Sequence, residues 1–225
     1  MKLFQDSITI FFKDLVLDLR SMENIFAMLF FSIIVIMVFA FALPADDKSH
    51  ALLAPGVFWV TFLLAGILSL NKSFQIEKDN FCLESLLLAP ISRGAIFLGK
   101  MGWNVCFILL IQILVIPVFS LLFYGPFLNN FFELFLLSFI TAIGFSSLGT
   151  MLSALTVDVR FKEIILPILL FPLLVPLLLA SVKIPRVVLV DGSFSNVTDW
   201  IKLLIGFDII FLVVSYLTFE YVMEI

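Results

Sequence analysis

The chain has 225 residues, 63% hydrophobic and only 13% charged, with a mean hydropathy of +1.23, whereas a soluble domain carries about 25% charged residues. This composition excludes a soluble globular domain and specifies an all-α integral membrane protein. The net charge of −4 says little about partners, because orientation depends on which loops hold Lys and Arg.

Phe4, Ile8, Phe11, Leu15, Leu19 and Met22 recur at three- or four-residue steps with Lys2, Asp6, Lys13 and Asp14 between them, the pattern of an amphipathic helix. It is expected to lie in the membrane interface over residues 1–23. Six apolar runs follow, at 24–43, 52–70, 105–123, 131–155, 164–182 and 200–222, each long enough to cross a hydrocarbon core of about 30 Å. The first is too long for a signal-peptide core and lacks a following small-residue cleavage site, so it is read as a retained helix. Nine of the thirteen Lys and Arg residues fall on one side of these spans. That puts both termini and the 71–100 and 157–163 loops in the cytoplasm.

In the fourth span Ser138, Ala142, Ser146, Thr150 and Ala154 repeat at four-residue steps beside Gly144 and Gly149. Such a stripe admits another backbone closely, either within one bundle or at a dimer seam. The fifth span carries Pro167, Pro172 and Pro176, each removing a backbone donor, so it is expected to kink or break, to pack inside the bundle and to be a candidate moving part or gate. The external segment after it has turn chemistry at Asp191-Gly192, and its Asn196-Val197-Thr198 matches a glycosylation acceptor of low specificity.

Gly94 to Met101 nearly spells a nucleotide-binding P-loop, but Met101 stands where a Mg²⁺-binding Ser or Thr belongs and no strand precedes it. Lys100 there is expected to snorkel at the mouth of a span. His50 is the sole histidine and is read as a surface residue of an external 45–51 loop, while Cys82 and Cys106 stand apart as free thiols. No catalytic, metal-binding or cofactor-binding set emerges. Intramembrane polar side chains are costly and commonly face a cavity or partner; Asn104, Gln112 and Asp208 are the candidates, with Asp208 either lining a path or hydrogen-bonded near the external interface.

The 71–100 loop holds the remaining signal. Asp79-Asn80 can start a short helix over 81–88, with Glu84 near the positive end of its dipole, and Pro90 limits it. On helical geometry Leu83, Leu86 and Leu87 share one face, while Phe81 and Leu88 lie on the other side. One side can rest on the ends of the spans, and the other calls for a partner protein.

The run Glu77-Lys78-Asp79, Leu83-Glu84, Leu86-Leu87, Pro90, Ser92 and Gly99-Lys100 resembles a signature of the ABC-2 class of exporter permeases, where it forms a coupling helix docked in a groove of the ATPase subunit. "KDLVLDLRS", "APGVFWVTFLLAGILSLNKSF", "CLESLLLAP", "IFLGK", "GFSSLGTMLSAL" and "PILLFPLLVPLLLA" are similar to the CcmB family of haem exporters in cytochrome c maturation. The resemblance implies a single ABC-2-type permease domain over 1–225 in the bacterial inner membrane, itself non-catalytic. It implies as partners a second copy, an ABC ATPase subunit that binds the ATP, and haem-handling membrane subunits, with haem as the substrate. Glu77, Asp79, Phe81, Leu83, Glu84, Leu87 and Pro90 would bear the ATPase contact, and Leu83→Asp is expected to uncouple the protein without preventing insertion. A scaffold joining the ATPase to haem-handling partners, or an exporter of another substrate, is the alternative. Where the family usually has Gly, this chain has Phe81, so Asn80 is expected to supply any left-handed turn.

Overall fold

A computed structural model describes residues 2–43, 47–123, 131–186 and 197–223, with side chains of 47–51 outside the description. Among the described residues every regular element is a helix: α1 Lys2–Ser21, α2 Glu23–Ala42, α3 Asp47–Ser73, α4 Gln75–Asp79, α5 Leu83–Leu88, α6 Arg93–Phe123, α7 Phe131–Thr156, α8 Lys162–Arg186 and α9 Thr198–Val222. Six of these, α2, α3 and α6 to α9, are long and apolar enough to cross a membrane. The protein is a multi-pass integral membrane protein.

The spans agree with the apolar runs, with one informative difference. The third was expected from residue 105, but α6 begins at Arg93 and runs 31 residues, about 46 Å at 1.5 Å per residue. Its first turns therefore project beyond a 30 Å hydrocarbon core and meet α1 and α4. The expected 45–51 loop is likewise helical from Asp47; the His50 side chain, the Asp191-Gly192 turn and the Asn196 acceptor lie outside the described residues.

α6 and α7 form the middle of the bundle. α6 packs on α1, α2, α3, α7 and α9, and α7 on α3, α6, α8 and α9. The small residues of α7 explain its position: Ser138, Ala142, Ser146, Thr150 and Ala154 are all buried within the chain. A Cβ on Gly149 would collide with the Leu70 side chain, and one on Gly144 with the Asp208 carboxyl, so the neighbouring helices use the space that a side chain would fill. Within the chain, the stripe is taken up by packing against neighbouring helices.

α8 departs from expectation. It runs unbroken through Pro167, Pro172, Pro176 and Pro185, and it lies at the rim. Leu166, Leu170, Leu174, Leu177 and Ala180 face inward, whereas Pro172 and Pro176 are exposed and Pro167 is half-buried. Pro185 is buried near the end of the helix, and the inward leucines continue past Pro167, Pro172 and Pro176 without a break in α8.

α1 is the expected amphipathic helix, with its polar face turned to the bundle instead of to water. Its buried residues are Ser7, Ile10, Asp14 and Asp18, while Phe4, Ile8, Phe12, Val16 and Leu19 are exposed. Its polar stripe meets protein and most of its apolar stripe is left for lipid. Close approach is enforced at Gly99, where a Cβ would lie 2.7 Å from the Ser7 carbonyl oxygen and 2.8 Å from Ile10 Cβ.

Candidate functional site

The loop between α3 and α6 is two short helices joined by a defined reversal. The Cys82 N–H donates to the Glu77 carbonyl at 2.8 Å and the Phe81 N–H donates to the Lys78 carbonyl at 3.0 Å. These two bonds make a Schellman motif that ends α4, with Phe81 in the position usually given to glycine. Phe81 itself has φ 55°, whereas Asn80 has φ −89°. The expectation that Asn80 would take the left-handed turn is therefore corrected: the hydrogen-bond pattern fixes the reversal one residue later. α5 correspondingly starts at Leu83, not at residue 81, with Cys82 before it.

α5 has the two faces anticipated from its leucines. Leu83, Leu86 and Leu87 are half-buried against a cluster that includes Ile96, Phe97, Phe219 and Met223 at the ends of α6 and α9. Phe81 and Leu88 are 91% and 86% exposed, with Glu84, Ser85 and Pro90 exposed as well. Of the residues expected to touch a partner, Phe81, Asp79, Glu84 and Pro90 are outward, while Leu83 and Leu87 serve mainly to seat the helix.

Glu77 is a further correction. It is 6% exposed, and its Oε1 accepts hydrogen bonds from Lys13 Nζ and from Lys100 Nζ, the latter at 2.7 Å. Lys100 does not snorkel; it is 1% exposed, with its ammonium 3.3 Å from Asp14 Oδ2, donating to the Ser73 carbonyl and lying 4.6 Å from the Phe74 ring centroid. Burial works to lower the Lys13 pKa, but the Asp14 and Glu77 carboxylates outweigh it and hold the ammonium above its ordinary range. One turn along, Trp103 Nε1 donates to Asp18 Oδ2 at 2.7 Å. On the other side of α4, Lys78 Nζ donates to the Val157 carbonyl at 2.6 Å and pairs with Asp158 at 3.0 Å, which fastens α4 to the turn after α7.

The intramembrane polar candidates do not converge. Asn104 donates to Thr150 Oγ1 at 2.9 Å between α6 and α7. Gln112 is buried beside a cavity of about 20 Å³ lined by Met28, Ser32, Phe58 and Thr61, with neither amide atom hydrogen-bonded to protein. Asp208 lies against Gly144 and Leu177 inside the bundle, with Oδ1 unpartnered. A larger groove of about 860 Å³ opens between α1, α2, α3 and α8, with Phe31, Leu64 and Phe171 along its apolar part and Asp18, Lys72 and Glu163 among its polar lining.

Sequence reasoning missed Lys13, Asp14, Asp18 and Trp103 as members of one cluster. The available signal was weak: Ser7, Ile10, Asp14 and Asp18 share one face of α1, and Gly99-Lys100 offers a close approach followed by a cation. Nothing local says that these two features meet.

The comparisons agree with this architecture. The model of the family described as CcmB protein matches residues 5–225. "Heme exporter protein B" of Rhodobacter capsulatus is 31% identical over 175 residues, covering 77% of this chain and 79% of that one. The protein of the same name from Pseudomonas aeruginosa is 31% identical over 152 residues, 67% of each chain, and that from Haemophilus influenzae is 29% identical over 167 residues, 74% and 75%. With the family model spanning nearly its full length and six helices able to cross a membrane, the chain belongs to the CcmB family.

Proposed function

We propose that this chain is the non-catalytic membrane subunit of an ABC transporter that exports or delivers haem for c-type cytochrome biogenesis, and that α5 with its preceding turn is where a separate ATPase subunit docks. The names of its relatives support haem as substrate, and the distribution of Lys and Arg supports an inner-membrane protein with both termini cytoplasmic. The observation that carries the docking assignment is the pair Phe81 and Leu88, among the most exposed large apolar side chains of the chain, at the two ends of a helix whose other face is already covered. In this reading ATP binds only to the partner subunit. A second copy completes the permease, and haem-handling membrane subunits receive or supply the substrate.

Docking works through division of labour on one short helix. Leu83, Leu86 and Leu87 seat α5 on α6 and α9, so a push on Phe81, Glu84 and Leu88 reaches two spans without first compressing a flexible loop. The packing of the spans into one bundle supports a single permease domain over 1–225. The test is a Phe81→Asp/Leu88→Asp variant expressed with the ATPase. Membrane insertion is expected to persist while the ATPase no longer co-purifies and c-type cytochrome formation stops; undiminished co-purification would remove α5 as the docking element. Vesicles holding the purified complex then separate a transporter from the scaffold alternative, because only the transporter moves haem across the bilayer.

A further inference from the structure

Lys13 and Asp14 of α1, Glu77 of α4 and Lys100 of α6 meet at the end of the bundle nearest α5, two cations with two anions. An ammonium has three donors, and Lys100 directs them at Glu77 Oε1, Asp14 Oδ2 and the Ser73 carbonyl. Each target lies on a different element, α4, α1 and α3. Trp103 to Asp18 repeats the α6-to-α1 connection one turn along, and Gly99 brings the two backbones into contact. Buried ion pairs are commonly no more stabilising than apolar packing of the same volume; their best-attested advantage is to fix one register. An apolar α1–α6 contact could slide by a fraction of a turn, whereas three directed bonds from one nitrogen fit a single arrangement.

Resting on the docking reading above, we propose that Lys100 is a positioning residue that joins α1, α4 and the projecting start of α6 into one rigid body, so that movement of the docked loop reaches the N-terminal helix and α6 together. Without it, displacement of α5 would be absorbed at residues 80–82, between the two short helices. Asp14 and Glu77 act through Lys100, and Lys13 neutralises the charge that would otherwise remain.

The test is made on the complete chain in complex with its ATPase. Lys100→Met alone leaves two carboxylates to one ammonium and is expected to lower the amount of inserted protein severalfold. Lys100→Met/Glu77→Gln leaves the Lys13–Asp14 pair neutral and is expected to restore insertion and ATPase co-purification. Even so, it should reduce c-type cytochrome formed per ATP hydrolysed at least fivefold. A double variant that inserts, binds the ATPase and couples normally would overturn the proposal, leaving the charges a structural filler.

A second measurement needs no change to the cluster. With Cys82 and Cys106 replaced by Ser, spin labels at Phe4→Cys on α1 and Asn80→Cys after α4 should keep one separation in nucleotide-free and ATP-bound complexes. A change of a helical turn, about 5 Å, would show that the two helices do not move as one body. Failure of docking itself is read separately, from the Phe81→Asp/Leu88→Asp variant, which leaves all four charged residues in place.

Discussion

Glu77 and Phe81 are four residues apart on the same loop and have opposite surroundings. Glu77, on α4, is enclosed by two ammonium groups; Phe81, at the reversal into α5, has almost its whole ring in the open. The charged side chain is the internal one and the aromatic side chain the external one, the reverse of what a soluble loop would do. α4 is thus held to the bundle by directed polar bonds while α5 keeps apolar surface in the open, so tying and the proposed docking are separated along the chain.

The strongest way to break this contrast is to remove the tie. Glu77→Ala strands Lys13 and Lys100 near one remaining carboxylate and is expected to cost about 3 kcal/mol or more, read as a lowered thermal midpoint of the extracted protein; an unchanged midpoint would mean that α4 is held by something else. Gly99→Ala attacks the same junction sterically. Its new Cβ would press on the Ser7 backbone, and a cost of about 1–3 kcal/mol is expected, with α1 becoming accessible to protease before the spans do.

On the exposed side the sign should invert. Phe81→Gly relieves a left-handed backbone in a bulky residue, worth about 1 kcal/mol, and at the same time deletes the ring offered to the ATPase. Higher thermal stability with at least tenfold weaker ATPase binding is expected, and equal binding would reduce Phe81 to a turn residue. The smallest effect concerns pH. Burial pushes the Asp18 carboxyl above its ordinary range, and the hydrogen bonds from Trp103 and Asn24 only partly oppose this. Because the folded value is the higher one, the associated stability is complete below the ordinary carboxylate range and is lost as pH rises through the folded value. Mild acidification from neutrality should therefore firm the α1–α6 contact, and Asp18→Asn should remove that dependence while gaining less than about 1 kcal/mol at neutral pH, as followed by Trp103 fluorescence.

The spans and the two faces of α5 were legible because each depends on residues within a few turns of one another. The charge cluster was not, because Glu77 finds Lys13 at 64 positions' distance and Lys100 at 23. The amphipathic helix α1 was legible from its apolar stripe, but not that its polar face, with Ser7, Asp14 and Asp18, is covered by the bundle: apolar periodicity locates a stripe and says nothing of what the opposite face meets. The three prolines of α8 were legible as missing donors, but not that the helix runs on through them with Pro172 and Pro176 outward. Phe81 was identified as the unusual position, yet only the bonding pattern of the reversal showed that it, and not Asn80, adopts the glycine-like conformation.

The length of α6 has a mechanical meaning. A continuous helix of 31 residues that crosses the bilayer and continues past it is a lever with its fulcrum among α3, α7 and α9. Rotating it by about 10° around its middle would carry the Lys100 end through about 4 Å, given a half-length of about 23 Å, and would carry the opposite end the same distance the other way. Under the proposed coupling, a nudge delivered at one membrane surface would be reproduced, inverted, at the other.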